Sequence, residues 1–99
     1  MNDFKLGQIV RSKSGRDKGC WLLVIEIIDD KHVLVVDGKV RTLEKPKKKN
    51  IRHLAKTKQI DGALIEKMLN GQYITDLDIR NTIAIKMNLM LKEKNGKEH

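Results

Sequence analysis

Apolar residues in the first half of this chain come in short runs: Ile9-Val10, then Leu22 to Ile28, then Val33 to Val36. Gly, Asp, Ser and Lys separate them. β-branched and leucine side chains in runs of this length predict strands, with the polar residues between them as turns. The Cys20–Ile28 segment is the longest strand candidate, and only Glu26 interrupts its apolar character. A strand of that kind is covered on both faces. Asp29-Asp30-Lys31 reads as a turn, since Asp bonds its own backbone there. Asp37-Gly38 reads as a type I′ hairpin turn leading to a fourth strand. In that strand Val40, Thr42 and Leu43 alternate with Lys39, Arg41 and Glu44, and Pro46 ends it. Asn50 to Leu54 predicts one helical turn followed by a short closing strand. Phe4 and Leu6 are expected to pack where the chain enters the first strand.

The pattern changes at Thr57. Asp61 can cap a helix over Gly62–Leu69 that Asn70-Gly71 stops. Thr75 and Asp78 form a capping-box pattern, with Asp in place of Glu, for a second helix reaching about Lys94. Ile79, Ile83, Met87 and Met90 fall on one face of it, and Ile85, Leu89 and Leu91 are expected to widen that face. The stripe is read as core; an undocked helix would make it a partner surface instead. Residues Gly96 to His99 are expected to fray. Two parts follow, residues 1–57 and residues 58–99.

At 99 residues the chain has room for one domain with a small core. The formal net charge of +8 is unevenly placed. Residues 1–57 hold 14 Lys and Arg against 7 Asp and Glu, a net of +7, while residues 58–99 hold 7 against 6. A basic strand half points to a polyanion such as nucleic acid; a solvated face is the plainer account. Phe4, Trp21 and Tyr73 are the only aromatics, too few for an extended base-stacking platform. Trp21 therefore reads as a packing residue, and Cys20, the single cysteine, as a small buried one. His32 is expected to be exposed in its turn. No Cys/His set has metal-ligand spacing, and Asp29-Asp30 lacks the nucleophile, metal ligand or base that an enzyme needs. No catalytic residue, metal, cofactor or small-molecule substrate is expected. The N-terminal residues lack the apolar core of a signal peptide, and no run is long enough to span a bilayer. A cytoplasmic location is expected.

Two clusters carry the candidate chemistry. The first is a glycine-punctuated loop with Arg11, Lys13, Arg16 and Lys18, in which Gly15 and Gly19 supply turn geometry. The second comprises Lys39, Arg41, Lys45, Lys47, Lys48, Lys49, Arg52 and Lys56, offset only by Glu44, with His53 beside Arg52. Lysine runs such as Lys47–Lys49 suit a flexible contact with phosphate backbone. Arg16, Arg41 and Arg52 suit oriented, bidentate contacts.

Four words of sequence carry a family resemblance: Gly7-Gln-Ile-Val10, Ser14-Gly-Arg-Asp-Lys-Gly19, Ile27-Ile-Asp-Asp30 with Val33-Leu-Val35, and Lys49-Asn-Ile-Arg-His-Leu54. In this order they resemble the KOW motif of ribosomal and transcriptional RNA-binding proteins. Within that group they more closely resemble the large-subunit ribosomal protein fourteen family of archaea and eukaryotes and the short bacterial KOW-domain proteins similar to it. The resemblance covers roughly residues 4 to 55. It implies a mainly β fold, a small SH3-like β-barrel here followed by an α-helical C-terminal extension. It also implies noncatalytic binding of structured RNA, ribosomal RNA in particular, in the ribosome or translation. The rival reading is a protein-interaction module that docks a partner through the C-terminal helix stripe.

Overall fold

The computed structural model describes residues 2–96. Five strands form one antiparallel sheet: β1 (Gln8–Ser12), β2 (Trp21–Ile27), β3 (His32–Val36), β4 (Lys47–Asn50) and β5 (Leu54–Ile60). Their order is β4-β3-β2-β1-β5, a meander whose last strand returns beside the first. A 3₁₀ turn, Ile51–His53, joins β4 to β5, and helices α1 (Gly62–Leu69) and α2 (Asp76–Gly96) follow. The expected barrel is not closed: β4 and β5 are the sheet edges, paired with β3 and β1 but not with each other.

The sheet buries both faces, and strand alternation divides the core in two. Val10, Leu22, Val24, Val33 and Val35 point to one side, where Phe4 and Leu54 complete a cluster. Ile9, Leu23 and Val36 point to the other, where Leu64 of α1 and Ile79 and Ile83 of α2 cover them. This double coverage is why β2 is apolar at almost every position. Trp21 packs at the border of the helix-side cluster, as expected. The pairing shifts register between Val24 and Glu26 and between Gln8 and Val10, and such irregularities bend a sheet.

Both helix starts follow the expected chemistry. Asp61 Oδ1 accepts the Leu64 N–H at 3.0 Å. Thr75 Oγ1 accepts from the Asp78 N–H at 3.2 Å, and Asp78 Oδ2 accepts the Thr75 N–H at 2.9 Å. These bonds, led by the one from the Thr75 backbone, hold the Asp78 carboxyl below its usual range. Asn70 caps α1, and Gly71 takes φ +76°. The α2 stripe is occupied: Ile79 and Ile83 are buried, and Met87 and Met90 pack beside them. It is core, not a free partner surface.

Several expectations are corrected. Residues 37–46 form a loop in place of the expected fourth strand, and Val40 is 74% exposed. Among the described residues no non-glycine residue has positive φ, so Asp37 cannot make a type I′ turn. Its Oδ1 instead accepts the N–H groups of Lys39 and Arg41, at 2.8 and 2.9 Å. The loop is anchored to the start of α2. Asp76 Oδ1 accepts the Leu43 N–H at 2.9 Å, and Arg80 Nη1 donates to the Gly38 carbonyl at 2.6 Å. The fourth strand forms in the lysine run, where Lys47 and Lys49 pair with Val35 and Val33. Lysine at an exposed edge discourages further strand addition. β5 runs past Thr57 to Ile60, so the change in composition lies inside a strand. Ile85, Leu89 and Leu91 lie off the buried face and are exposed, as are Leu6 and Cys20. His32 is half-buried, with Nδ1 2.9 Å from Asp29 Oδ1. Of the segment expected to fray, Gly96 closes α2, and residues 97–99 lie outside the described residues.

Candidate nucleic-acid interface

The chain between β1 and β2 folds into a tight tip. Ser12 and Gly19 close its base: Gly19 N–H donates to the Ser12 carbonyl at 2.8 Å, and Ser12 N–H to the Cys20 carbonyl at 2.9 Å. Gly15 and Gly19 take φ +86° and +88°. A Cβ on Gly19 would meet nothing closer than Arg11 Nη2 at 3.8 Å, so backbone conformation alone calls for glycine there. The tip is held from outside by Lys49, whose Nζ reaches Asp17 Oδ1 at 2.9 Å, Ser12 Oγ at 3.0 Å and the Ser14 carbonyl at 3.2 Å. Ser12 Oγ also donates to Asp17 Oδ1 at 2.8 Å. Burial pushes the Asp17 carboxyl up, but the bonds from Lys49 and Ser12 outweigh it and hold the group below its usual range.

This corrects the reading of Lys49. It is not part of a flexible, solvated run but is 8% exposed, an internal tether of the loop. Lys49→Met leaves the Asp17 carboxylate, 14% exposed, without its cation. We expect a loss of about 1–3 kcal/mol, since the loop can swing the carboxylate toward water. Urea denaturation measures the loss, and amide exchange at Lys18 to Cys20 reports the loop; an unchanged midpoint with full protection would refute the tether. The same link sets a pH dependence. The folded carboxyl titrates below its unfolded value near 4, so its contribution is complete above that value and fades as pH falls through the folded one.

The 3₁₀ turn abuts the tip: the Lys13 N–H donates to the His53 carbonyl at 2.7 Å, and Asn50 Oδ1 fixes the turn by accepting the Arg52 N–H. Lys13, Arg16 and Lys18 of the tip, Arg52 and His53 of the turn, and Lys47 and Lys48 of β4 are all exposed. Among the described residues, no carboxylate forms an ion pair with any of these lysines or arginines. The loop 37–46 comes close on the other side, and a cleft of about 310 Å³ between it and the tip is lined by Arg16, Asp17 and Arg41. Arg41 Nε and Asp17 Oδ2 are buried without a hydrogen-bond partner among the described residues.

Not every basic candidate joins this group. Arg11 sits over the Trp21 ring, 5.9 Å from its centroid. Lys56 pairs with Asp3 at 2.6 Å and so is partly neutralised. Lys39 and Lys45 are exposed on the 37–46 loop, beside Val40 and Glu44. Sequence reasoning missed the tether of Lys49, Asp17 and Ser12, because no local pattern marks a contact spanning 32 residues. It also missed a second cleft, between that loop and α2.

No helix among the described residues is long and apolar enough to cross a membrane. Among them no group of three or more His, Cys, Asp or Glu residues could hold a metal ion. No protein-family model matches the chain. A curated relative does: the chain is 39% identical over 57 residues to large ribosomal subunit protein eL14 of Desulfurococcus amylolyticus. The match takes in 58% of this chain and 59% of the relative, so the chain spans about three fifths of that protein's length. The resemblance to that family is thus a measured similarity.

Proposed function

We propose that this chain is a noncatalytic RNA-binding protein of the ribosome or the translation apparatus, with structured RNA, ribosomal RNA foremost, as its partner in the cytoplasm. The observation that carries this is the tip: Lys13, Arg16 and Lys18 are exposed and unpaired on a loop that an internal ion pair holds in shape. Arg52, His53, Lys47 and Lys48 extend the positive face, and Arg41 adds a guanidinium from the facing loop. A fixed array of cations recognises a folded phosphate backbone by shape, without stacked aromatics. The similarity to large ribosomal subunit protein eL14 supports the ribosomal setting. The meander whose last strand returns beside the first supports reading the sheet as an SH3-like barrel left open between β4 and β5.

Sedimentation of the tagged protein through sucrose gradients tests the setting. The protein should travel with ribosomal particles at low salt and leave them as salt rises. A protein that stays at the top of the gradient at low salt would count against a ribosomal role.

The two kinds of cation should also differ. Lys47 and Lys48 are point charges on an edge strand, so exchanging both for Gln should weaken all RNAs alike and flatten the salt slope by up to about two phosphate contacts. Arg16→Lys and Arg52→Lys keep the charge but lose the planar fork. They should lower the preference for the cognate RNA over an unrelated duplex with the slope nearly intact. Paired titrations on both RNAs read this; unchanged preference would reduce these arginines to point charges.

A further inference from the structure

We infer that the protein takes one unstacked nucleotide of its RNA into the cleft between α2 and the 37–46 loop; this rests on the RNA-binding reading. The cleft holds about 650 Å³, within the range of pockets that enclose a small ligand. Its apolar lining comes from Trp21, Ile83, Ala84 and Met87. Arg80 and Asn81 stand among the lining residues of the same cleft. Arg80 is fixed there by its bond to the Gly38 carbonyl. The Asn81 amide is exposed, and it offers both a donor and an acceptor to a base edge.

The occupant is indicated by what lies next door. This cleft shares Cys20, Asp37 and Val40 with the smaller cleft lined by Arg16 and Arg41. The two are therefore neighbours along one path across the surface. Arg41 lines the smaller cleft beside Arg16, and a phosphate oxygen is an acceptor that guanidinium groups suit. Of the carboxylates beside this path, Asp17 has Oδ1 engaged by Lys49 and Ser12 and Oδ2 buried, and Asp37 accepts from the backbone of Lys39 and Arg41. A phosphate at Arg16 and Arg41 would place its attached base toward the apolar cleft. Proteins read folded RNA at bulges and loops because bases there are free to leave the stack. A single pocket built around the one tryptophan needs no extended aromatic platform. An apolar side chain from a protein would fill the floor but leave the neighbouring guanidinium unanswered.

The test compares a perfectly paired RNA duplex with the same duplex carrying one bulged nucleotide. Wild-type protein should bind the bulged form roughly tenfold more tightly, the worth of one base–aromatic stack. Emission of Trp21, the only tryptophan, should change with the bulged RNA and not with the paired one. Ala84 is exposed on α2, so Ala84→Phe and the milder Ala84→Leu can fill the cleft without entering the core. Both should erase the preference while leaving affinity for the paired duplex and its salt slope unchanged. Equal binding of the two RNAs by the wild type, or a preference that survives Ala84→Phe, overturns the inference but leaves the RNA reading standing. Survival of the preference would return the cleft to protein side chains. Failure to bind either RNA at low salt removes the RNA reading and this inference together.

Discussion

Ile79→Asp should largely unfold the protein. Ile79 is fully buried between α2 and the sheet, against Ile9, Leu23 and Val36. The change removes about 1.5–3 kcal/mol of apolar burial and leaves a carboxylate with no cation at hand. A total of about 4–5 kcal/mol is a large part of the ~5–15 kcal/mol that holds a domain folded. For a chain of this length it lowers the melting temperature by roughly 20 °C or more. Ile85→Asp on the same helix is the control. Ile85 is 59% exposed, so its change should stay within about 0.5 kcal/mol. Thermal melts of both variants decide the matter. An Ile79→Asp protein that melts within a few degrees of wild type would show that α2 is not docked as described.

Gly38→Val should be the most damaging change among the loops. Gly38 has φ +80°, where a β-branched residue is strained by about 1–2 kcal/mol. It also has no room: a Cβ there would lie 2.5 Å from the Asp76 carbonyl oxygen and 2.9 Å from Arg80 Cγ. The first of these is backbone in the opening turn of α2, which cannot yield locally. The helix start and the loop must part, breaking the Arg80–Gly38 and Asp76–Leu43 bonds. A loss of about 3–4 kcal/mol follows from strain and the two lost bonds together. Gly71→Ala separates the two causes, because Gly71 shares the positive φ but has open space around it. It should cost only about 1 kcal/mol. Urea midpoints measure both, and equal losses would mean that the close approach at Gly38 has no energetic weight.

Much of this architecture is written locally. The strands β1, β2 and β3 announce themselves by apolar runs, and both helix starts by side chains that can reach their own backbone. The Asp29–Lys31 turn and the 3₁₀ turn after Asn50 are legible for the same reason. What local pattern missed are competitions settled at long range. Val40 to Leu43 alternates like a strand, but Asp37 captures its backbone, and Asp76 and Arg80 pin the loop to a helix some forty residues away. Lys47 to Lys49 has poor strand propensity, yet β3 needed a partner for its open edge. In the candidate site, the exposed cations of the tip could be read from charge and glycine spacing. Lys49 could not be told from its neighbours, because only the fold shows that its ammonium turns toward Asp17. Cys20, read as a buried residue, lies instead at the mouth of both clefts.

In the proposed function, the tip and its neighbours bind RNA through phosphate. A titration of structured RNA with the intact protein across a salt series tests it most directly. With about four to six phosphates contacted, log affinity should fall with log salt at a slope of roughly −3 to −5, and Arg16→Gln should reduce that slope by about one contact. No binding at low salt, a flat salt response, or a slope indifferent to Arg16 would contradict it.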